Sequence, residues 1–274
     1  MTARLPDWAI YGAVVGALLL VATAGRERAD APEAPPPLDG SEDILIGPPT
    51  RFDHTVNVDP VVGPGTPKTA TAFAVASDGR WITASRPLRR CTRAAILLGG
   101  GQALEAKIAV RAGETAVLVT EGTATALPLA PPRSVQVGAH GFAVGWTEGR
   151  PGEIALELVG RSELASDGHG RLREPVLTWA LVGRTRGLHG PFDGLDGGPV
   201  LDAQGRVVGV LLKQERRRGR FYTSTPESLA ALAPKGRTEP ETDPGPGQPV
   251  TIGNYGRAAD SLRRDLRVAQ ARCF

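Results

Sequence analysis

Between about Val56 and Pro226 the chain keeps returning to short apolar runs bounded by glycine, proline and aspartate, and it never sustains a helical period. Residues with period two expose one face to water and bury the other, so such runs must pair as strands. The candidates are Thr71–Ala76, Trp81–Ala84, Ala94–Leu98, Leu104–Val110, Ala116–Thr120, His140–Val144, Glu153–Val159, Val176–Ala180, Val200–Leu201, Val207–Lys213 and Arg220–Ser224. "SDGR" at 77–80 and "AQGR" at 203–206 supply tight hairpin turns. Many short strands without intervening helices predict an all-β barrel or sandwich. The 35 glycines and 24 prolines agree with a turn-rich chain. Aromatic residues make up only 5%, so the core rests on Val, Leu, Ile and Ala.

The flanks differ from this middle. "WAIYGAVVGALLLVATAG", Trp8 to Gly25, carries no charge and has the length of a short membrane span, with Trp8 and Tyr11 near one end. "ATA" at Ala22 to Ala24 also fits a signal-peptidase site, so residues 1–25 read as an uncleaved transmembrane anchor or a cleaved signal segment. Either one delivers the rest across the membrane. Residues 26–55 form a charged, proline-rich linker, and 56–232 hold the strand-rich domain. Residues 233–274 read as a second Pro/Gly linker and a helical tail, in which Leu262, Leu266 and Ala269 share one helical face.

A net charge of +3 is mild for 274 residues. The one dense basic cluster, Arg216-Arg217-Arg218 with Arg220, has no aromatic stacking platform beside it, so it reads as a solvated hairpin tip. No nucleic acid is expected as a partner; the expected partners are the membrane, through the first segment, and a protein. The two cysteines, Cys91 and Cys273, sit in no CxxC or mixed Cys/His spacing, so no metal and no cofactor are expected. They pair in an oxidising compartment, or else one is a buried thiol and the other a frayed terminal one.

"GLDGGPVLDAQGRVVGV", residues 194–210, crowds glycines around Asp196. Such crowding means that the backbone must approach something closely. Taken with three other segments in the same order, it resembles the chymotrypsin-fold serine proteases, and most closely the bacterial Deg-type periplasmic proteases. "TAFAVASDGRWITASRPL" is similar to the segment that ends in the family's histidine, "AGETAVLVT" to the one that supplies its aspartate, "LPLAPPRSVQVGAHGFAVGW" to the following strand pair, and the 194–210 segment to its "GNSGGP". The resemblance implies two six-stranded β-barrels with a cleft between them. It places Arg86 at the histidine position, Glu114 at the aspartate position and Asp196 at the serine position, with the backbone N–H groups of Gly194 and Asp196 where the family has its oxyanion hole.

The family's chemistry needs a hydroxyl nucleophile, a neutral imidazole and an orienting carboxylate. A guanidinium cannot serve as the base, and a carboxylate attacks an amide poorly. Ser85 would have to act without an imidazole, and His54, His140, His169 and His189 read as loop or surface residues. The expectation is therefore a catalytically inactive protease homologue that binds or scaffolds proteins outside the cytoplasm. An active hydrolase with noncanonical residues and a structural subunit of a membrane complex stay open. Arg86 is expected either to bridge Glu114 and Asp196 as an ion cluster or to point to solvent.

Overall fold

The computed structural model describes residues 12–17, 46–58, 69–91, 93–166, 172–185, 188, 192–235 and 245–274. The chain falls into two units, Met1–Glu42 and Asp43–Phe274. In the first, residues 12–17 are helical. Among the described residues no helix is long and apolar enough to cross a membrane, and most of the apolar run from Trp8 to Gly25 lies outside them.

In the second unit the strands run β1 (His54–Val58), β2 (Thr69–Ala74), β3 (Arg80–Ala84), β4 (Ala94–Gly99), β5 (Gln102–Ala112), β6 (Thr115–Thr120), β7 (His140–Thr147), β8 (Arg150–Ser166), β9 (Leu172–Arg184), β10 (Pro199–Leu201), β11 (Val207–Glu215), β12 (Arg220–Thr223) and β13 (Val268–Cys273). Two helices, α1 (Pro226–Leu232) and α2 (Tyr255–Arg264), lie between β12 and β13. Pairing in the order β13-β2-β3-β6-β5-β4 closes one six-stranded barrel. The order β8-β7-β10-β11-β12-β9, closed by pairing of β8 with β9, makes the second, and β1 adds in parallel to the far end of β8.

Alternation along β2 separates two cores. Ala70, Ala72 and Ala74 pack inside the first barrel with Trp81, Ile96, Leu118, Ala269 and Ala271. Phe73, on the opposite face, joins Ile82, Val117, Phe142, Val144, Val210 and Leu262 in a layer shared by both barrels. Trp179, Ile154, Leu156, Val200 and Phe221 fill the second barrel. With so few aromatics, each barrel interior is organised around one tryptophan whose indole N–H donates to a threonine hydroxyl: Trp81 to Thr120 at 3.2 Å, Trp179 to Thr223 at 3.0 Å. Gly79 and Gly205, in the turns anticipated from "SDGR" and "AQGR", take φ of +81° and +74°.

The boundary expected at residue 232 is corrected by the C-terminal segment. The helix anticipated there exists, but it ends at Arg264, and Leu266 turns the chain at φ +52°. Ala269 is therefore not on the helical face; it lies in β13, which pairs with both β2 and β4. Without these six residues the first barrel would stand open between β2 and β4. The reading failed because Ala, Gln and Arg have good helix propensity, and two flanking strands override it. The domain also begins earlier than residue 56: His54–Val58 is already strand, and the Ile46 amide donates to the Val135 carbonyl.

Two attachments hold the segment down. Cys273, at the end of β13, is disulfide-bonded to Cys91 across 182 residues, with Cα atoms 5.4 Å apart. By chain entropy alone, closing so long a loop is worth about 5 kcal/mol. Arg263 of α2, buried against the second barrel, pairs with Glu153 of β8 and donates to the carbonyls of Gly145 and Gly152 at 3.2 and 3.0 Å. One short stretch of chain thus completes one barrel and anchors on the other.

Candidate active site

The segments carrying Arg86, Glu114 and Asp196 converge on the end of β3. Ser85 N–H donates to the Glu114 carbonyl at 2.7 Å, which ties the β3 exit to the β5–β6 turn. Gly197, next to Asp196, presses on the same place: a Cβ there would lie 2.7 Å from the Ala84 amide nitrogen and overlap the Thr71 carbonyl.

The loop bearing Asp196 is clamped by Thr71 of β2. Its hydroxyl donates to the Gly194 carbonyl at 2.8 Å and accepts the Trp146 amide at 3.1 Å, while its own amide donates to the Asp196 carbonyl at 2.9 Å. Thr83 closes the clamp by donating to the Thr71 carbonyl at 2.6 Å. Gly194 and Gly197 adopt φ of +100° and +90°, which side chains rarely tolerate. This answers why glycines surround Asp196: the loop is threaded between β2, β3 and β7 with no room for Cβ atoms. The carboxylate is partly buried, its Oδ1 fully so, and Leu195 beside it enters the second core.

Glu114 is 3% exposed and forms an ion pair with Arg89. Among the described residues no ion pair joins Arg86 to Glu114; Glu114 is taken by Arg89 instead. Arg86–Leu88 is a 3-10 turn, and Arg89, which caps its end, is the arginine that reaches the Glu114 carboxylate. Arg86 is left half-buried.

A second carboxylate, not anticipated from the sequence, approaches from the other barrel. Glu174 of β9 accepts the Glu114 amide at 3.0 Å, and a Cβ on Gly113 would overlap its Oε2. Burial, reinforced by the nearby Glu114 charge and opposed by that amide, pushes the Glu174 carboxyl from 4.5 up to about 7. Only Gly113, in the "AGETAV" stretch, hinted at a close approach. A carboxyl raised in the fold binds its proton more tightly there than in the unfolded chain, so its stabilising effect is full below about 4.5 and lost as pH rises through about 7. Discounted for solvent screening, the loss is roughly 1–3 kcal/mol. Glu174→Gln should flatten this pH dependence between 4.5 and 7 and make the variant the more stable protein at pH 8, as read from urea midpoints; an unchanged slope would assign it to another group.

Of the other candidates, His54 and His140 are exposed and Ser85 is buried, while His169 and His189 lie outside the described residues. No cluster of His, Cys, Asp and Glu among the described residues could hold a metal ion.

Two closed six-stranded barrels, joined by a shared core and meeting at a glycine-walled loop, decide the architecture. The chain has the double-barrel fold of the chymotrypsin-like proteases. Solved structures of that fold align with it. The active form of the Rv3671c protease from M. tuberculosis is 17% identical, with 73% of this chain and 98% of that one covered at a TM-score of 0.49. The MamO protease domain from Magnetospirillum magneticum, in its apo form, is 16% identical over 62% of this chain and 90% of that one, also at 0.49. The HtrA-type protease AlgW, with a decapeptide, is 13% identical over 60% of this chain and 50% of that one, again at 0.49. No protein-family model matches the sequence, and no curated protein does.

Proposed function

We propose that this chymotrypsin-like chain does not cleave peptides and acts outside the cytoplasm as a protein-binding or scaffolding module. The observation that carries the reading is Asp196: a carboxylate stands in the glycine-walled loop where the resemblance expects a hydroxyl nucleophile. It would occupy or repel the position that the N–H groups of Gly194 and Asp196 hold for developing negative charge. Arg86, at the position of the base, carries a guanidinium that cannot take up a proton. Glu114, at the position of the orienting carboxylate, is engaged by Arg89.

The disulfide between Cys91 and Cys273 supports an oxidising compartment. Together with the uncharged run from Trp8 to Gly25, it favours a single-pass inner-membrane protein with its domain on the periplasmic side. A cleft between barrels suits an extended peptide, a membrane complex or a protease as the bound partner.

The test is hydrolysis of an unstructured protein by the purified full chain, with Asp196→Ala and Arg86→Ala variants alongside. The expected result is no cleavage above a blank for all three. Cleavage by the native chain that disappears with Asp196→Ala would overturn the proposal and make the carboxylate a reacting group.

A further inference from the structure

The outer face of the second barrel carries an open pocket of about 370 Å³ with a mixed polar and apolar lining. It lies where β8, β9 and β12 run side by side, under the turn that joins β11 to β12. Its walls include Arg161, Arg218 and Arg220 against a single acid, Glu215, so the charged lining sums to three minus one, a net +2. The turn comes from the arginine-rich cluster, which is not simply a solvated tip: two of its members face this cavity.

Glu215 does not neutralise the site. It accepts the Tyr222 hydroxyl at 3.1 Å and lies 3.9 Å from the Arg218 guanidinium. Neither Arg161 nor Arg220 has an ion-pair partner among the described residues. The Arg161 charge reaches Glu227, whose carboxylate already accepts the Arg133 amide at 2.9 Å. The Nε of Arg161 is buried and meets no acceptor. A buried donor of this kind is an expensive feature unless something else satisfies it. Beside it the hydroxyls of Ser162 and Thr178 lie 2.7 Å apart; one donates to the other, which leaves one O–H to offer a ligand.

We propose that this pocket binds a phosphate monoester. Two guanidiniums that form no ion pair among the described residues match a dianion in charge, and their forked N–H groups match its oxygens in geometry. The free hydroxyl supplies a further donor. The cavity is larger than a phosphate ion needs, so an organic substituent fits with it. A soluble phosphomonoester and a phosphatidic-acid headgroup present the same group, and the two are told apart by experiment.

The full chain, in detergent micelles at physiological salt, is titrated calorimetrically with O-phosphoserine, serine and short-chain phosphatidic acid. Saturable one-to-one binding of O-phosphoserine, with serine silent, is the expected result. Binding of phosphatidic acid alone would assign the site to a lipid headgroup, and binding of both to the phosphomonoester generally. Arg161→Gln and Arg220→Gln should each weaken binding at least tenfold with unchanged melting temperature, whereas Arg257→Gln, which removes an exposed charge on α2, should leave it within twofold. Binding of neither phosphate ligand, or equal loss in all three variants, would overturn the assignment.

Discussion

Arg263→Ala lowers the unfolding free energy by about 3–5 kcal/mol, because it strands the Glu153 carboxylate in a buried site. Both side chains are only 6% exposed. Glu153 would keep the Thr185 hydroxyl at 2.6 Å, but one neutral donor does not replace a guanidinium. The carbonyls of Gly145 and Gly152 would lose their donor too, and Trp146 would lose the cation 5.9 Å above its ring. Trp146 is also the residue whose amide donates to Thr71, so the clamp on the Asp196 loop loosens with it. The double variant Arg263→Met with Glu153→Gln removes both charges and keeps an acceptor for Thr185; it should recover most of the loss. Urea unfolding of the native, single and double variants decides the matter. A double variant as unstable as Arg263→Ala would mean that packing of α2, and not the stranded charge, sets the cost.

Gly197→Ala should cost at least about 3 kcal/mol, a large effect for a single added methyl group. Part of the cost is backbone strain at φ +90°, and the rest is overlap with the Thr71 carbonyl, the Thr83 hydroxyl and the Ala84 amide. Two of these three are backbone atoms and cannot swing aside. Gly99→Ala is the matched control: its φ of +92° carries the same strain, but nothing lies within 4 Å of the added carbon. It should cost only about 1 kcal/mol. Equal midpoints for the two variants would show that strain alone matters and that the loop is not wedged against the first barrel.

These sites differ in how far the sequence announced them. The glycine frame around Asp196 was legible because positive φ and close approach leave a direct trace in residue type. The strands from Thr71 to Ser224 were legible because a half-buried strand must alternate, although β8 and β9 run well beyond their apolar parts. Their outer ends are held by pairing with each other and with β1, and such pairing makes little demand on side-chain hydrophobicity. Thr71 and Thr83 left no signal, since a threonine in a strand looks the same whether it fills space or joins three segments.

Locally readable chemistry was therefore determined by the sequence alone: barrels rather than helices, turns at Gly79 and Gly205, a carboxylate in a glycine-walled loop, and two cysteines able to pair. Tertiary structure decided which charges meet. Arg89 and not Arg86 takes Glu114, Glu174 arrives from 60 residues away, and Arg263 crosses from α2 to Glu153. It also decided that "VAQARC" is a strand. The physical reason is the same in each case. Backbone strain and alternation act between neighbours in the chain and are written into residue types, whereas ion pairs and strand partners are selected by the distances that only a closed barrel fixes.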